Sequence, residues 1–448
     1  MDPIVIVGGD AAGMSAASKF RRERPEREVV VFEKGEYVSY AACGMPYYVK
    51  GDVDSLDDLL TVSPEEFVEE RGVDLRLHHE VVEVDPDARE VVVEGPDGRF
   101  TQPYDQVLIA TGAHAVVPPF EGMALEGVFT MHSLPEARAV RDYLAAEEPE
   151  SVAVVGGGYV GIEMAEAFAE HDTEVHLFEM LPHVLAPFGE TVAEAVEEHL
   201  HEEGVRLHLD TAVERFVGDA RVTGVDVGEE VYDADLALVG VGVAPNTDLA
   251  EAAGIELGET GAIATDAYGR TSRANVFAAG DCAEARHVVT GDPDHVPLAL
   301  TANRTGRAIG QTMAGEETPV GDIAGTAVVK AFDLTAARTG IIDEERAREA
   351  SFDPVAVTIT AASRAHYYPG AEELTITLLG DRDSERVLGA TMVGREGVAK
   401  RVDTVAAALH EGATAHDLSY YDLAYAPPYS PVWDPVLTAA KVLDGKLG

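Results

Sequence analysis

The chain has 448 residues, 46% of them hydrophobic, which is enough for about three domains with buried cores. Its 81 acidic residues outweigh 33 basic ones for a formal charge of −48, which repels polyphosphate backbones and excludes nucleic acid as a partner. No run of eighteen apolar residues and no basic segment ahead of an apolar one occurs, so neither a membrane span nor a signal peptide is predicted, and a cytoplasmic protein is expected.

The apolar run Ile4, Val5, Ile6, Val7 leads into Gly8, Gly9, Asp10, Ala11, Ala12 and Gly13, and then into the helical segment MSAASKFRRE. Strand, glycine turn and helix in this order form a dinucleotide fingerprint, with a helix N-terminus and bare amides facing a pyrophosphate. A second strand, EVVVFEKG, carries Glu33 at the separation expected for an acid that grips a ribose hydroxyl. Asp10 stands where the middle glycine belongs, so a βαβ unit without a ligand is the alternative reading of this copy alone. Next comes SYAACGMPYY with Cys43, and the only other cysteine is Cys282, so no disulfide framework beyond a single pair is available. The segment DVDSLDDLLTVSPEEF predicts a short helical connector. VDLRLHHEVVEVDPDAREVVVEGPDGRF alternates with period two and turns on Pro-Asp-Gly, which predicts an antiparallel excursion. The strand YDQVLIA precedes Thr111, Gly112 and Ala113, and Pro118 and Pro119 mark a linker.

A second fingerprint, VAVVGGGYVGIEMAEAFAEHDTEVHLFEM, is complete, with Gly156, Gly158 and Gly161 in all three positions and Glu179 closing its second strand. An acid there favours a free ribose 2′-hydroxyl and repels a 2′-phosphate, which points to NADH over NADPH. Glu163, in the helix that follows, either lies near the nicotinamide or is an ordinary surface glutamate. VGVAPN follows at 241–246, and TSRANVFAAGDCAEA at 271–285 runs a strand into Asp281, whose carboxylate can accept hydrogen bonds from a ribityl chain. Taken alone, a turn with a buried acid explains it equally well. Cys282, next along, reads as a small packing residue. After the helical LALTANRTGRAIGQTMAG, the pattern changes near 326 to strands such as GTAVVKAF, DPVAVTITAAS and ELTITLLGD and the helix KRVDTVAAALHEG, with no fingerprint.

Together these landmarks resemble, over nearly the whole chain, the two-dinucleotide flavoprotein disulfide reductases. The resemblance implies an α/β fold: two Rossmann-like dinucleotide-binding domains, for FAD and NAD(P)H, and a C-terminal α+β dimerisation domain. It divides the chain into a discontinuous FAD domain (1–118 and 246–325), an inserted NAD(P)H domain (119–245) and an interface domain (326–448). It also implies a homodimer in which each interface domain completes the neighbour's active site. For FAD it implies Gly8, Ala11, Ala12, Gly13, Glu33, Lys34, Cys43, Val81, Thr111, Gly112, Asp281 and Ala299. For NAD(P)H it implies Gly156, Gly158, Tyr159, Val160, Gly161, Glu163, Glu179 and Gly242, and no metal is expected.

Family members with a redox-active disulfide carry two cysteines four residues apart, whereas here Ser39, Tyr40, Ala41, Ala42, Gly44 and Met45 surround Cys43. A lone thiolate cycles as a mixed disulfide with a small thiol or as a sulfenic acid; a buried, inert cysteine is the alternative. SYAACGMPYY resembles the motif of the single-cysteine branch, which contains coenzyme A disulfide reductases, NADH oxidases and NADH peroxidases. Peroxidases and many oxidases carry a histidine in the first glycine loop, where this chain has Ala11, and that argues against peroxide chemistry. AHYYPG at 365–370 and LAYAPPYSPVWDPV at 423–436 are similar to segments of coenzyme A disulfide reductases in which two tyrosines of the opposite subunit approach the cysteine. By motif these are Tyr367 and Tyr425, with Tyr368 and Tyr429 as neighbours; aromatic packing at a dimer interface is equally open.

Ser15, Lys19 and Arg22 fall on one helical face by their spacing. In the resembled enzymes these positions line the coenzyme A channel with those of Ser39, Ala42, Arg71 and Asn303; a solvated helix face is the alternative for Lys19 and Arg22. Ala42 departs from the asparagine often found there. The resemblance therefore implies FAD-dependent reduction of coenzyme A disulfide, or a related small-thiol disulfide, by NAD(P)H through a Cys43 mixed disulfide, helped by a lowered thiol pKa. The alternatives are an NADH oxidase using a Cys43 sulfenic acid, a persulfide or polysulfide reductase, and a flavin-bearing redox sensor without turnover. The acidity itself predicts a halophilic source, since a salt-rich cytoplasm screens it.

Overall fold

The computed structural model describes residues 1–448. The first sheet is parallel, in the order Val276–Ala278, Gln106–Ile109, Ile4–Val7, Val29–Phe32, Asp74–Arg76. Its inner strands are continuous apolar runs because helices or loops cover both faces, and every residue of Ile4–Val7 and Val29–Phe32 is buried. Asp74–Arg76 corrects one expectation, since it joins this sheet in parallel beside Val30–Phe32 instead of opening the antiparallel excursion. Period-two alternation marks a strand without stating its partner. The excursion itself begins at Glu80 and forms the three-stranded meander Glu80–Asp85, Glu90–Gly95, Gly98–Pro103.

Against the first sheet lies a helix pair, Ala11–Glu23 and Ala299–Met313. A Cβ on Gly306 would sit 2.1 Å from the Ala12 carbonyl oxygen, and one on Gly310 would sit 2.5 Å from that of Ala16. The two backbones therefore touch, which carries the helix Ala299–Met313 up to the first glycine loop.

The second sheet repeats the parallel plan in the order Arg206–His208, Glu174–Phe178, Ser151–Val155, Leu236–Val239, Val128–Thr130, with its own meander over 215–233. Ala113–Ala115 pairs antiparallel with Val243–Pro245 where the chain leaves the first unit and returns to it. The last unit is a five-stranded antiparallel sheet, Ala327–Ala331, Leu334–Gly340, Val387–Gly394, Glu373–Asp381, Pro354–Ala362, covered by the helices Val398–His410 and Pro435–Leu447. One hydrophobic cluster joins all three units: Met45, Tyr48 and Val49 from the first, Ile162 and Phe168 from the second, and Val329 and Leu334 from the third. No helix is long and apolar enough to cross a membrane.

Candidate active site

The glycines of the two fingerprints divide into two kinds. Gly8 (φ +106°) and Gly156 (φ +107°) make left-handed turns, and added Cβ atoms would lie 2.1 Å from the Ala110 oxygen and 2.5 Å from the Gly240 oxygen. Gly13 and Gly161 seat each helix on its strand, because a Cβ there would be 2.0 Å from Gly8 O and 1.8 Å from Gly156 O. By contrast, Gly112, Gly158 and Gly242 meet nothing within 4 Å. Tight turns behind open backbone form the cradle that a pyrophosphate requires, so the residues present fit one dinucleotide at each loop.

Both strand-end acids hold their loops. Glu33 accepts from the amides of Gly9 and Gly35 at 2.7 Å each, and Glu179 accepts from Gly157 at 2.6 Å and Leu181 at 2.9 Å. A carboxylate has about four acceptor sites, so each can still bind a ribose hydroxyl. Tyr159 and Val160 open the second helix, with the Tyr159 ring edge-on to Phe188. Lys34 is exposed beyond Glu33, while Val81 is buried in the meander.

Asn246, the end of VGVAPN, stitches the returning chain to the first unit. Its amide nitrogen donates to Thr111 O at 2.7 Å, its backbone N–H to Gly112 O at 2.9 Å, and its own carbonyl accepts from the Thr111 hydroxyl at 2.8 Å. Nearby, the Asp281 carbonyl is held by His295 Nε2 at 2.8 Å, just before the helix that starts at Ala299. Burial pushes the Asp281 carboxyl up. It also pushes Asp10 up, to about 7, with the charges of Glu33 and Asp281 adding to the effect. Asp10, the departure from the glycine pattern, is a tie: its Oδ1 accepts the Tyr40 N–H at 3.1 Å and so draws the cysteine segment onto the glycine loop.

That segment enters through Ser39, in a left-handed conformation (φ +51°) with its N–H on Gly9 O at 3.1 Å. Ala42–Gly44 forms one 3₁₀ turn and Met45–Lys50 a short helix. A Cβ on Gly44 would lie 2.3 Å from Leu59 Cδ2, so any larger residue there has to displace the end of that leucine. Cys43 is an exposed residue, whereas Cys282 is buried with its Sγ 3.3 Å from the Ala279 oxygen. The two thiols therefore occupy unlike settings, and the reading of Cys282 as a packing residue agrees with its burial. The expected lowering of the Cys43 thiol is not what the chain alone provides. Desolvation by its walls pushes the thiol up, followed by the charges of Glu163 and Asp281.

Glu163 and Glu166 project from the helix Tyr159–Ala169 toward the cysteine helix. The Tyr47 hydroxyl donates to Glu163 Oε1 at 3.2 Å, and Lys50 Nζ meets Glu166 Oε1 at 2.9 Å. Glu166 also takes Lys330 Nζ at 2.9 Å and the Phe332 amide at 2.7 Å, so one buried carboxylate ties the three units together. Tyr47 and the Lys50–Glu166 pair carry no sequence motif. The only available signal is that both pairs share a spacing of three.

Ser15 donates to Asn303 Oδ1 at 2.7 Å, which unites two of the residues expected to line the substrate channel from opposite ends of the first unit. Arg71 lies beside them through Ser18 Oγ at 3.1 Å. Lys19 is not a solvated residue: it is buried and pairs with Glu23, whereas Arg22 on the same face is exposed and makes no ion pair. Tyr367 and Tyr425 come together with their hydroxyls 3.2 Å apart on the exposed face of the third unit.

The family model for pyridine nucleotide-disulphide oxidoreductases matches residues 2–306, and the model for the dimerisation domain of that family matches 326–435. The chain is 43% identical to the NAD(P)H coenzyme A polysulfide/persulfide reductase of Pyrococcus horikoshii over 98% of each chain. It is 29% identical to a coenzyme A disulfide reductase of Staphylococcus aureus over 96% of this chain and 97% of that one. The crystal structure of reduced Bacillus anthracis CoADR-RHD superposes with a TM-score of 0.96 at 33% identity, covering 100% of this chain and 80% of that chain.

Proposed function

Because the chain belongs to the pyridine nucleotide-disulphide oxidoreductase family, we propose that it reduces coenzyme A disulfide, or a related small-thiol disulfide, through a mixed disulfide on Cys43. The observation that carries this reading is the exposed Cys43 thiol beside the first glycine loop with no second cysteine to resolve it, since Cys282 is buried. A resolving thiol must then come from the substrate. Bound NAD(P)H and FAD would supply a hydride and relay its electrons. The chain's own part is to hold the two dinucleotides at the glycine loops, present Cys43, and gather the substrate's phosphates. Arg22, Arg71 and Lys19, with Ser15, Ser39, Ala42 and Asn303, are the proposed channel. The open loop around Gly158 and Gly242, with Glu179 at the strand end, suits NADH better than NADPH.

The proposed unit is a cytoplasmic homodimer. Tyr367, Tyr425, Tyr429, Val432 and Trp433 are all exposed on the third unit, an apolar face suited to a second copy. In that arrangement Tyr367 and Tyr425 of one copy reach the neighbour's Cys43, where a phenol protonates the departing thiolate. Phe at both positions is expected to slow disulfide turnover while leaving flavin reduction by NADH intact; unchanged turnover removes the pair from the mechanism.

A second reading, a coenzyme A-dependent polysulfide or persulfide reductase, is favoured by the 43% identity to the Pyrococcus horikoshii relative. Mass spectrometry of the non-reduced holoenzyme separates the readings. A coenzyme A adduct on Cys43, together with faster turnover of coenzyme A disulfide than of polysulfide, supports the first, and the reverse order of rates selects the second. Sulfenic acid as the sole modification, with rapid oxygen consumption, selects an NADH oxidase.

A further inference from the structure

The helix Glu190–Glu202 of the second unit lies against the sheet of the third, with Val192, Val196 and Leu200 in one cluster with Val329, Leu334 and Val393. His199 belongs to that buried face, edge-on to the Phe332 ring, and its side chain is only 4% exposed. Its Nε2 makes no hydrogen bond: Asp333 Oδ1 comes within 2.9 Å, yet off the direction that an N–H requires. The other buried side-chain polar atoms without a partner are the Nε atoms of Arg273, Arg338 and Arg386, which have no lone pair to give. An imidazole nitrogen has one, and here it faces carboxylates. Glu203 Oε1 lies 3.9 Å from it, and the three donor atoms of His199, Glu203 and Asp333 fall within 4.8 Å of one another. Asp333 is far along the chain, in the turn between Ala327–Ala331 and Leu334–Gly340, so no local motif announces the set and the sequence alone leads to the expectation of no metal.

We propose that His199 Nε2, Glu203 and Asp333 bind a divalent transition-metal cation of the zinc class, which staples the second unit to the third. Donors about 2 Å from such an ion stand about 3.3 Å apart when arranged as a tetrahedron, and the distances of 2.9 Å and 3.9 Å from Nε2 bracket that value. One imidazole and two carboxylates, with water as a further ligand, suit zinc or cobalt, whereas calcium and magnesium take oxygen donors. The site is independent of the chemistry at Cys43, and its role is to fix how two units meet.

The charges around the imidazole agree with this assignment. Glu202, Glu203 and Asp333 all approach His199 within 4 Å, and the one cation among them is Arg395, whose Nε is 3.0 Å from Asp333 Oδ2. Three carboxylates against one guanidinium leave two negative charges unmatched, the charge of the proposed ion. Glu203 caps the C-terminal end of its helix, where the aligned peptide dipoles also favour a cation. Glu202 Oε2 lies 3.5 Å from His199 Nδ1, so Nδ1–H can donate there and leave the lone pair on Nε2, the outer-shell arrangement of a ligating histidine. Arg395 Nη2 is 3.4 Å from the same Nδ1 and 4.0 Å from Glu202; with the cation bound it serves the carboxylate. Glu203 and Asp333 are exposed, which gives the ion a path from solvent to the buried nitrogen.

The test is equilibrium dialysis of the chelator-treated holoenzyme against Zn²⁺, in a Cys43→Ser background so that the exposed thiol cannot bind the probe, and in about 1 M KCl to screen the acidic surface. A single equivalent of Zn²⁺ per chain is expected, together with a rise in the thermal midpoint. His199 is buried and its replacement endangers the fold, so the exposed carboxylates carry the comparison. Asp333→Asn and Glu203→Gln should each lose the equivalent and the rise in midpoint. Glu202→Gln should weaken binding about 10- to 100-fold, and Glu198→Gln, exposed on the same helix, should change neither. Co²⁺ in place of Zn²⁺ should give a visible absorption band that is absent from Asp333→Asn. No saturable equivalent, or one that survives in both Asp333→Asn and Glu203→Gln, overturns the proposal. Binding that leaves the thermal midpoint unmoved overturns the staple, and displacement of Zn²⁺ by an equal concentration of Mg²⁺ overturns the choice of cation.

Discussion

Asp10 puts a carboxylate where a fingerprint of this kind otherwise leaves bare backbone, and the structure gives the reason in its bond to the Tyr40 amide. The tie has a cost in stability that depends on pH. In the folded chain the carboxyl is raised from 3.8 to about 7, so between these values the folded state binds more protons than the unfolded one. Stability contributed by this group is therefore present below the unfolded value and is lost as pH rises through the folded one. Asparagine keeps the acceptor for Tyr40 and removes the charge. Asp10→Asn is expected to stabilise the flavin-free protein at pH 8 by on the order of a few kcal/mol and to leave it nearly unchanged at pH 4. Thermal unfolding at the two pH values checks this; equal midpoints for both proteins at pH 8 would show that Asp10 is already charged and solvated.

Among the elements, the contact between Ala11–Glu23 and Ala299–Met313 brings Ser15 to Asn303 and depends on glycines that let backbones touch. Gly306→Ala forces a methyl to within 2.1 Å of the Ala12 oxygen. It should destabilise the protein by roughly 1–3 kcal/mol and loosen the flavin, read as a lower denaturation midpoint and a lower ratio of flavin to protein absorbance after gel filtration. An unchanged midpoint would mean that the helices separate without penalty. The sequence made the two strand–glycine–helix units legible because their signals are local, a few residues each. Partners are not local. That Asp74–Arg76 pairs in parallel with the first sheet depends on a strand over forty residues earlier. The Cys43 thiol is likewise raised where the isolated motif suggests a lowered one, first because packing desolvates it and then because Glu163, Asp281 and Asp10 bring charge from three separate segments. The family pattern points to Ser15 and Asn303 but not to Tyr47, whose bond to Glu163 exists only once two distant segments face each other.

Across the whole molecule, a charge of −48 must be reconciled with association between identical chains. Two copies that pair through Tyr429, Val432 and Trp433 bring together equal excesses of carboxylate, and the apolar face has to overcome that repulsion. The balance is set by salt, since the screening length falls from about 10 Å at 0.1 M to about 3 Å at 1 M. Fold and dimer should therefore respond together. Between about 0.1 and 2 M KCl, the thermal midpoint is expected to rise steeply, and sedimentation should move from a mixture of monomer and dimer to dimer alone. On the proposed dimer, in which Tyr367 and Tyr425 serve the neighbour's Cys43, disulfide turnover should follow the dimer fraction, whereas flavin reduction by NADH within one chain should not. A midpoint and a mass that ignore KCl would place the protein among ordinary acidic enzymes, with its carboxylates spread widely enough for water alone to accommodate them.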